Sequence, residues 1–443
     1  MFDVATALAL IAGLLILVAL GVHIAIALGM TSALGIYLVT GDMQVVANML
    51  GSTAYESLRD YVFAVIPLFM LMGEFIGRSG AVTDVYRGIN RGLKRLPGRL
   101  GIATVLGNAL FSFVTGVSIA SAAAFSRIAY PEMSRFGYHK GFALGAVAGS
   151  SCLGMLIPPS VLMIVWGILT EKSIGQIFLA GVLPGLLLTV LFVAYIFITA
   201  VLRPAVVGRG VGSRAQESSD EVSLAAFLTS IGGILAVILA VLGGIWFGVF
   251  TPTEGAGAGA FIGLVLGIVK GMRYKDIIES ILSVGRTSAP ILLLLVAASL
   301  YSRTLAMTGM SNAIQDLFLD TGLTPFLIIA VMVVVWFLLG MVIDSISIML
   351  LTVPIFAPIA EQLGYNPIAF AIVGILAIEA GLLTPPFGLL VYTVKAAVQD
   401  EDDSVSIVDI FKSSMPYWLI ILVAMTLIIL FPQIATFLPD LVF

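Results

Sequence analysis

Charge is scarce in this sequence. Aspartate, glutamate, lysine and arginine make up only 10% of 443 residues, against about 25% in a soluble domain, and that excludes a soluble globular fold. The single cysteine, Cys152, excludes an intrachain disulfide and a cysteine metal cluster, and is read as a small packing residue. The two histidines, His23 and His139, stand too far apart for a histidine metal site. A formal net charge of −4 gives no support to a nucleic-acid partner. No glycine loop ending in lysine is present, so ATP is not expected to power this chain. No constellation of nucleophile, base and orienting group stands out either, and no enzyme activity is expected. Met1-Phe2-Asp3 lacks the basic start of a cleavable signal peptide.

What is abundant is apolar sequence. Hydrophobic residues reach 60% and the mean hydropathy is +1.15. Many runs approach the roughly 20 residues that a spanning helix needs. The short alternating segments of a membrane barrel are missing. The chain is therefore read as an all-α polytopic membrane protein.

Basic residues set the expected sidedness. Val4–Leu20, His23–Val39 and Tyr61–Gly77 read as spans, with the mixed residues 43–60 along the interface. The stretch holding Arg78, Arg87, Arg91, Lys94, Arg95 and Arg99 is then cytoplasmic and the N-terminus external. Further spans are expected over Ile177–Leu202, Leu224–Leu242, Phe250–Val269, Thr287–Arg303 and Tyr417–Leu430. A C-terminal tail without basic residues then lies outside. Residues 203–222 form the one hydrophilic linker, cytoplasmic by its arginines, between a first half (1–202) and a second (223–443).

Two apolar runs are broken by paired prolines: Gly154-Met155-Leu156-Ile157-Pro158-Pro159-Ser160, and Gly381-Leu382-Leu383-Thr384-Pro385-Pro386-Phe387-Gly388. Proline removes a backbone donor and clashes with the preceding turn. A membrane tolerates such a break only inside protein or beside a cavity. Broken helices are thus expected at about 141–170 and 367–394. Each follows a segment interrupted at its middle. Residues 99–130 have a turn near Thr115–Ser118 and basic flanks, and residues 324–360 have one at Gly340–Ser345 and no basic flank. Both are read as re-entrant hairpins. For the first, two full spans with a tight turn or one long tilted helix remain as other readings.

The halves align at one offset. Pro131 matches Pro358, Gly137 matches Gly364, Gly154 matches Gly381 and Ser118 matches Ser345, each 227 residues apart (for example 381 − 154). With opposite charge at the two hairpins, this reads as an inverted repeat, the architecture of secondary transporters. An unwound helix frees carbonyls for a small hard cation and N–H groups for an anion. Hydroxyls of Thr115, Ser118, Ser345 and Thr384 supplement them. Asp344 is an expensive charge at membrane depth and is read as an ion-site residue, or as the cap of the helix that follows. Glu379 serves either the second site or a structural hydrogen bond. Glu254, after Thr251-Pro252-Thr253, is read as a cap, Glu74 as a helix-face partner of Arg78, and His23 as packing.

Ser121–Met133 (SAAAFSRIAYPEM), Gly154–Ser160 (GMLIPPS), Phe250–Gly255 (FTPTEG), Gly340–Asp344 with Pro354 and Pro358, and Leu383–Gly388 (LTPPFG) carry a resemblance over nearly the whole chain. The sequence resembles the large membrane subunit of tripartite ATP-independent periplasmic (TRAP) transporters, the DctM type. That resemblance implies an ion-transporter-superfamily elevator fold and sodium-coupled import of an organic acid across a bacterial inner membrane. It implies a periplasmic substrate-binding protein and a small four-helix membrane subunit (DctQ type) as partners. Sodium positions carried over from the family fall on Thr115, Gly116, Ser118, Gly154 and Pro158, and on Gly340, Asp344, Ser345, Gly381 and Thr384. Ser118, Ser160, Ser345 and Thr384 are the candidate substrate contacts. A stand-alone sodium/divalent-anion symporter of the same fold class is the alternative. A non-transporting scaffold or channel fits the paired breaks poorly.

Overall fold

The computed structural model describes residues 4–208, 223–308, 322–399, 402 and 404–443. Those residues are helical, with no strand among them, and eight of their helices are long and apolar enough to cross a membrane. Most of the linker lies outside the described residues, as do Asp316 and Asp320 beside the second hairpin.

The first half opens with α1 (Val4–Ala19), α2 (Ile24–Thr40), α3 (Met43–Arg59), α4 (Val65–Arg78, led by a 3-10 turn at Tyr61–Ala64) and α5 (Ala81–Gly92). The first hairpin is α6 (Arg99–Thr115) and α7 (Ser118–Arg135). The first broken helix is α8 (Lys140–Ser151), a short turn at Leu153–Leu156, and α9 (Val161–Thr170), followed by α10 (Ile174–Leu202). In the second half, α11 (Leu224–Ile238) runs through a π turn to Trp246, and then come α12 (Pro252–Val269) and α13 (Tyr274–Met307). The second hairpin is α14 (Pro325–Gly340) and α15 (Ser345–Gln362). The second broken helix is α16 (Pro367–Gly381) and α17 (Leu389–Val398), before α18 (Ile407–Leu430) and α19 (Gln433–Val442).

The offset seen in the sequence extends to the elements. Adding 227 carries α7, residues 118–135, onto 345–362, the bounds of α15. It carries 140–151 of α8 onto 367–378 in α16, and 161–170 of α9 onto 388–397, one residue ahead of α17. Packing follows the same rule with partners exchanged. Helix α9 packs on α15 and α17 on α7; α8 packs on α18 and α10 on α16; α4 packs on α12 and α13 on α2. Exchange of equivalent contacts is what a twofold relation between two copies produces. The halves are interlocked, so neither buries its apolar surface alone.

One sequence expectation is corrected. The membrane segment placed at Thr287–Arg303 is the second part of α13, a continuous helix of 34 residues that begins at Tyr274. Lys275, Glu279 and Arg286 hid its first turns from a hydropathy reading. Residues 43–60, read as mixed, form a regular helix capped by Asp42 and packed on α2 and α13. The C-terminal tail is helical and packs on α10 and α16. The cap and helix-face readings hold: Thr251 and Glu254 form a reciprocal capping box, and Arg78 meets Glu74 one turn away at 2.6 Å. His23, read as packing, caps α2 by accepting from the Ala25 N–H.

Candidate functional site

Glycine lets each hairpin tip approach its break. At the first tip Gly116 ends α6 with φ +61°, a conformation that favours glycine. A Cβ there would run into the Pro159 carbonyl. The Gly116 carbonyl accepts from the Val161 N–H at 3.1 Å, so the tip is hydrogen-bonded to the first turn of α9. Gly154 lies flat on the start of α7, where a Cβ would stand 2.8 Å from the Ser118 Cα. Pro158 and Pro159 are buried beneath the tip.

The second tip repeats the scheme with different atoms. Gly340 and Gly381 meet backbone to backbone, and a Cβ on Gly340 would stand 2.7 Å from the Gly381 Cα. The Phe387 N–H donates to the Met341 carbonyl at 3.2 Å, tying break to tip. Asp344 caps α15, accepting from the Ser347 N–H at 3.1 Å and from its hydroxyl. The first break is buried throughout, whereas the second exposes Phe387 (56%) beside Val342 (61%) of its tip.

Among the predicted hydroxyls, only two converge. The Ser118 hydroxyl donates to Glu379 Oε2 at 2.5 Å, and the Ser345 hydroxyl donates to Glu379 Oε1 at 3.4 Å. Both serines and Glu379 are buried. One carboxylate of the second half therefore joins the tips of both hairpins. The other hydroxyls serve their own helices. Ser160 caps α9 and donates to the Met155 carbonyl at 2.5 Å. Thr115 donates to the Phe111 carbonyl at 3.2 Å, and Thr384 to the Ala380 carbonyl at 2.9 Å. Glu379 is the residue that sequence reasoning left undecided. The available signal was one acid in the apolar helix Pro367–Gly381, and no local pattern names partners in two hairpins.

A cavity of about 530 Å³ separates α7 from α4 and α13 and reaches Thr115 and Val117 at the first tip. Ala120, Ala123 and Arg127 line its α7 wall. Arg78 at its mouth is neutralised by Glu74 at 2.6 Å and Glu279 at 3.0 Å. Arg127 and Arg286 have no carboxylate partner among the described residues. Elsewhere, Lys172, in the turn after the first broken helix, pairs with Glu361 of the second hairpin at 3.2 Å, beside a smaller cavity of about 290 Å³.

The model of the family described as "Tripartite ATP-independent periplasmic transporter, DctM component" matches residues 11–434. This chain belongs to the DctM family. The C4-dicarboxylate TRAP transporter large permease protein DctM of Pseudomonas aeruginosa is 31% identical over 419 residues, 93% of either chain. The ectoine TRAP transporter large permease protein TeaC of Halomonas elongata is 29% identical, covering 98% of this chain and 99% of its own. The sialic acid TRAP transporter large permease protein SiaM of Vibrio cholerae is 26% identical over 89% of this chain and 90% of its own. Among solved structures, the Alcanivorax borkumensis YdaH transporter aligns with a TM-score of 0.63 at 13% identity, covering 89% of each chain. Neisseria gonorrhoeae MtrF aligns at 0.57 and 14% identity, covering 91% of this chain and 85% of its own. At such identities the likeness concerns the fold alone. As a DctM-family large permease, the chain is an inner-membrane transporter subunit.

Proposed function

We propose that this DctM-family permease imports an organic acid, driven by sodium, in a three-component system with a small membrane subunit and a periplasmic binding protein. The carrying observation is the meeting of two hairpin tips at two helix breaks, joined through Glu379. Carbonyls at a break suit a small hard cation; Gly154, Pro158 and Gly340 supply backbone there, and the Gly116, Gly381 and Thr384 carbonyls, which already accept from the Val161, Thr384 and Gly388 N–H groups, would offer their second lone pairs, beside Ser118, Asp344 and Ser345. The relatives named for C4-dicarboxylates and sialic acid support an acid as cargo. The cavity at the first tip, edged by Arg127, gives an anion a route toward the arginine-rich end, which the basic loops assign to the cytoplasm. A group made of both hairpins and both broken helices, sliding against α4, α12 and α13 in an elevator step, would carry the site across the membrane.

The test is uptake by liposomes containing this chain and its small subunit, with and without an inward sodium gradient and the binding protein. Uptake that requires both supports the reading. Sodium-driven uptake without the binding protein favours a stand-alone symporter. Uptake indifferent to sodium removes the coupling assignment.

A further inference from the structure

The crevice at the first tip offers a cargo one charge and little else that is polar. Of the two basic side chains on its wall, Arg78 is shared between Glu74 and Glu279 at 2.6 and 3.0 Å. Arg127 is then the one cation there without a carboxylate partner among the described residues. Arg286 stands on the next face of α13, in a neighbouring pocket that it shares with Glu279. The hydroxyls of Thr115 and Thr287 donate to the Phe111 and Ser283 carbonyls of their own helices, at 3.2 and 3.0 Å. Toward the tip the wall is alkyl and aromatic, built from Ala123, Ala120, Ile119, Val117 and Phe111 of the first hairpin with Met70 of α4. The equivalent of Arg127 in the other half is Pro354 (127 + 227 = 354), which lines the smaller cavity together with Ser302, the counterpart of Phe75 in α4 (302 − 227 = 75). The two cavities thus lie at matching places in the two halves, and the one lysine of the second is paired with Glu361. The unpaired arginine belongs to the first crevice and is not required by the fold.

We propose that this crevice takes a monocarboxylate with an apolar body, its carboxylate on Arg127 and its body against the alkyl wall, in preference to dicarboxylates and polyhydroxylated acids. The inference rests on the organic-acid reading of the permease and deepens it by naming the class of acid. It departs from the cargoes for which the C4-dicarboxylate and sialic acid relatives are named. One guanidinium fork matches one carboxylate. A second carboxylate would face alkyl carbon or the negative charge of Glu74, and a desolvated charge without a partner is costly. Sugar hydroxyls laid on such a wall would lose water without gaining partners, at a cost for each one left unpaired. An apolar body releases water from the same surface, and that favours binding. Such discrimination acts after delivery, so the permease screens what a binding protein hands over.

The experiment reads the protection of a thiol placed on the crevice wall. Ala120→Cys, in the purified full chain with its small subunit in sodium chloride, is reacted with a charged maleimide; Cys152 is buried and should stay unmodified. Phenylacetate should slow the modification along a saturable curve. Succinate, gluconate and the uncharged phenylacetamide should each need a concentration about tenfold higher or more for the same protection. Adding Arg127→Gln should raise the phenylacetate midpoint by about tenfold or more. Succinate or gluconate protecting as well as phenylacetate overturns the class of acid while leaving organic-acid import intact. Phenylacetamide matching phenylacetate, or an unchanged midpoint in Arg127→Gln, overturns the role of Arg127. Protection by none of the acids overturns the proposal, and liposome uptake then decides the import reading separately. Should Ala120→Cys fail to fold, Ala123→Cys on the same wall carries the same comparison.

Discussion

Ser118 and Ser345, 227 residues apart, donate to opposite oxygens of the same carboxylate, that of Glu379. Each begins the second helix of its hairpin, and each is buried. The pair is the point where the duplicated halves become one site.

Asp344 tests the second tip. Asparagine caps a helix about as well as aspartate, whereas alanine loses roughly 1 kcal/mol at such a position. Asp344→Asn should therefore leave the protein folded and in the membrane while weakening the sodium dependence of uptake. Asp344→Ala should lose both sodium dependence and stability. Sodium activation unchanged in Asp344→Asn would remove this residue from the ion site.

The glycine contact between tip and break predicts a steep steric effect. In Gly340→Ala the new methyl would stand 2.7 Å from the Gly381 backbone, which has no flexible side chain to move aside. Overpacking of this kind costs about 1–3 kcal/mol, and uptake should fall with it. Gly29→Ala is the control, since it lies within α2 and nothing comes within 4 Å of its added carbon. That variant should unfold at the wild-type temperature or slightly above. Equal losses in the two variants would show that close backbone approach is not what Gly340 supplies.

Arg127 should influence substrate movement without touching ion binding. It edges the cavity beside the first tip and has no acidic partner among the described residues. One charge-assisted hydrogen bond to an anion contributes about 1.5–3 kcal/mol. Arg127→Gln should slow uptake by roughly tenfold at saturating sodium and leave the sodium midpoint where it was. A full uptake rate in that variant would take the route past Arg127 out of the reading.

Asp402 carries a pH signature outside the spans. Lys140 holds its carboxyl well below the usual carboxylate range, with Ser404 and Tyr130 adding hydrogen bonds. A folded value depressed below the unfolded one, about 4, makes the contribution to stability complete above that value. It is lost as pH falls toward the folded value. Unfolding temperatures of wild type and Asp402→Asn should differ at neutral pH and converge progressively below about pH 4. A gap that persists undiminished at pH 3 would contradict this account.

Much of the fold was legible because its punctuation is local. Paired prolines marked both breaks, Gly116 and Gly340 marked both tips, and the offset of 227 tied them together. The first part of α13 was not legible, because its charges mask helix continuity in any search for apolar runs. Nor was the role of Glu379, whose partners stand 261 and 34 residues away on other helices. Periodicity describes a helix's own faces, and only tertiary packing decides what those faces meet. The same limit explains Ser160 and Thr384, whose hydroxyls looked available but are taken by carbonyls of Met155 and Ala380.

The long helix α13 has a mechanical consequence. By the offset, its residues 274–307 correspond to 47–80, where the first half instead bends at Asp60 between α3 and α4. The same stretch of chain is thus an elbow in one half and a straight rod in the other. At about 1.5 Å per residue, the rod's 34 residues extend roughly 50 Å, against about 30 Å of hydrocarbon. Its first turns carry Lys275, Asp276 and Glu279, which anchor that end in water. Ser283, Val284 and Thr287, further along the rod, form a wall of the cavity at the first tip. In the proposed elevator step, a pier footed outside the bilayer would stay in place while the tip moved past it.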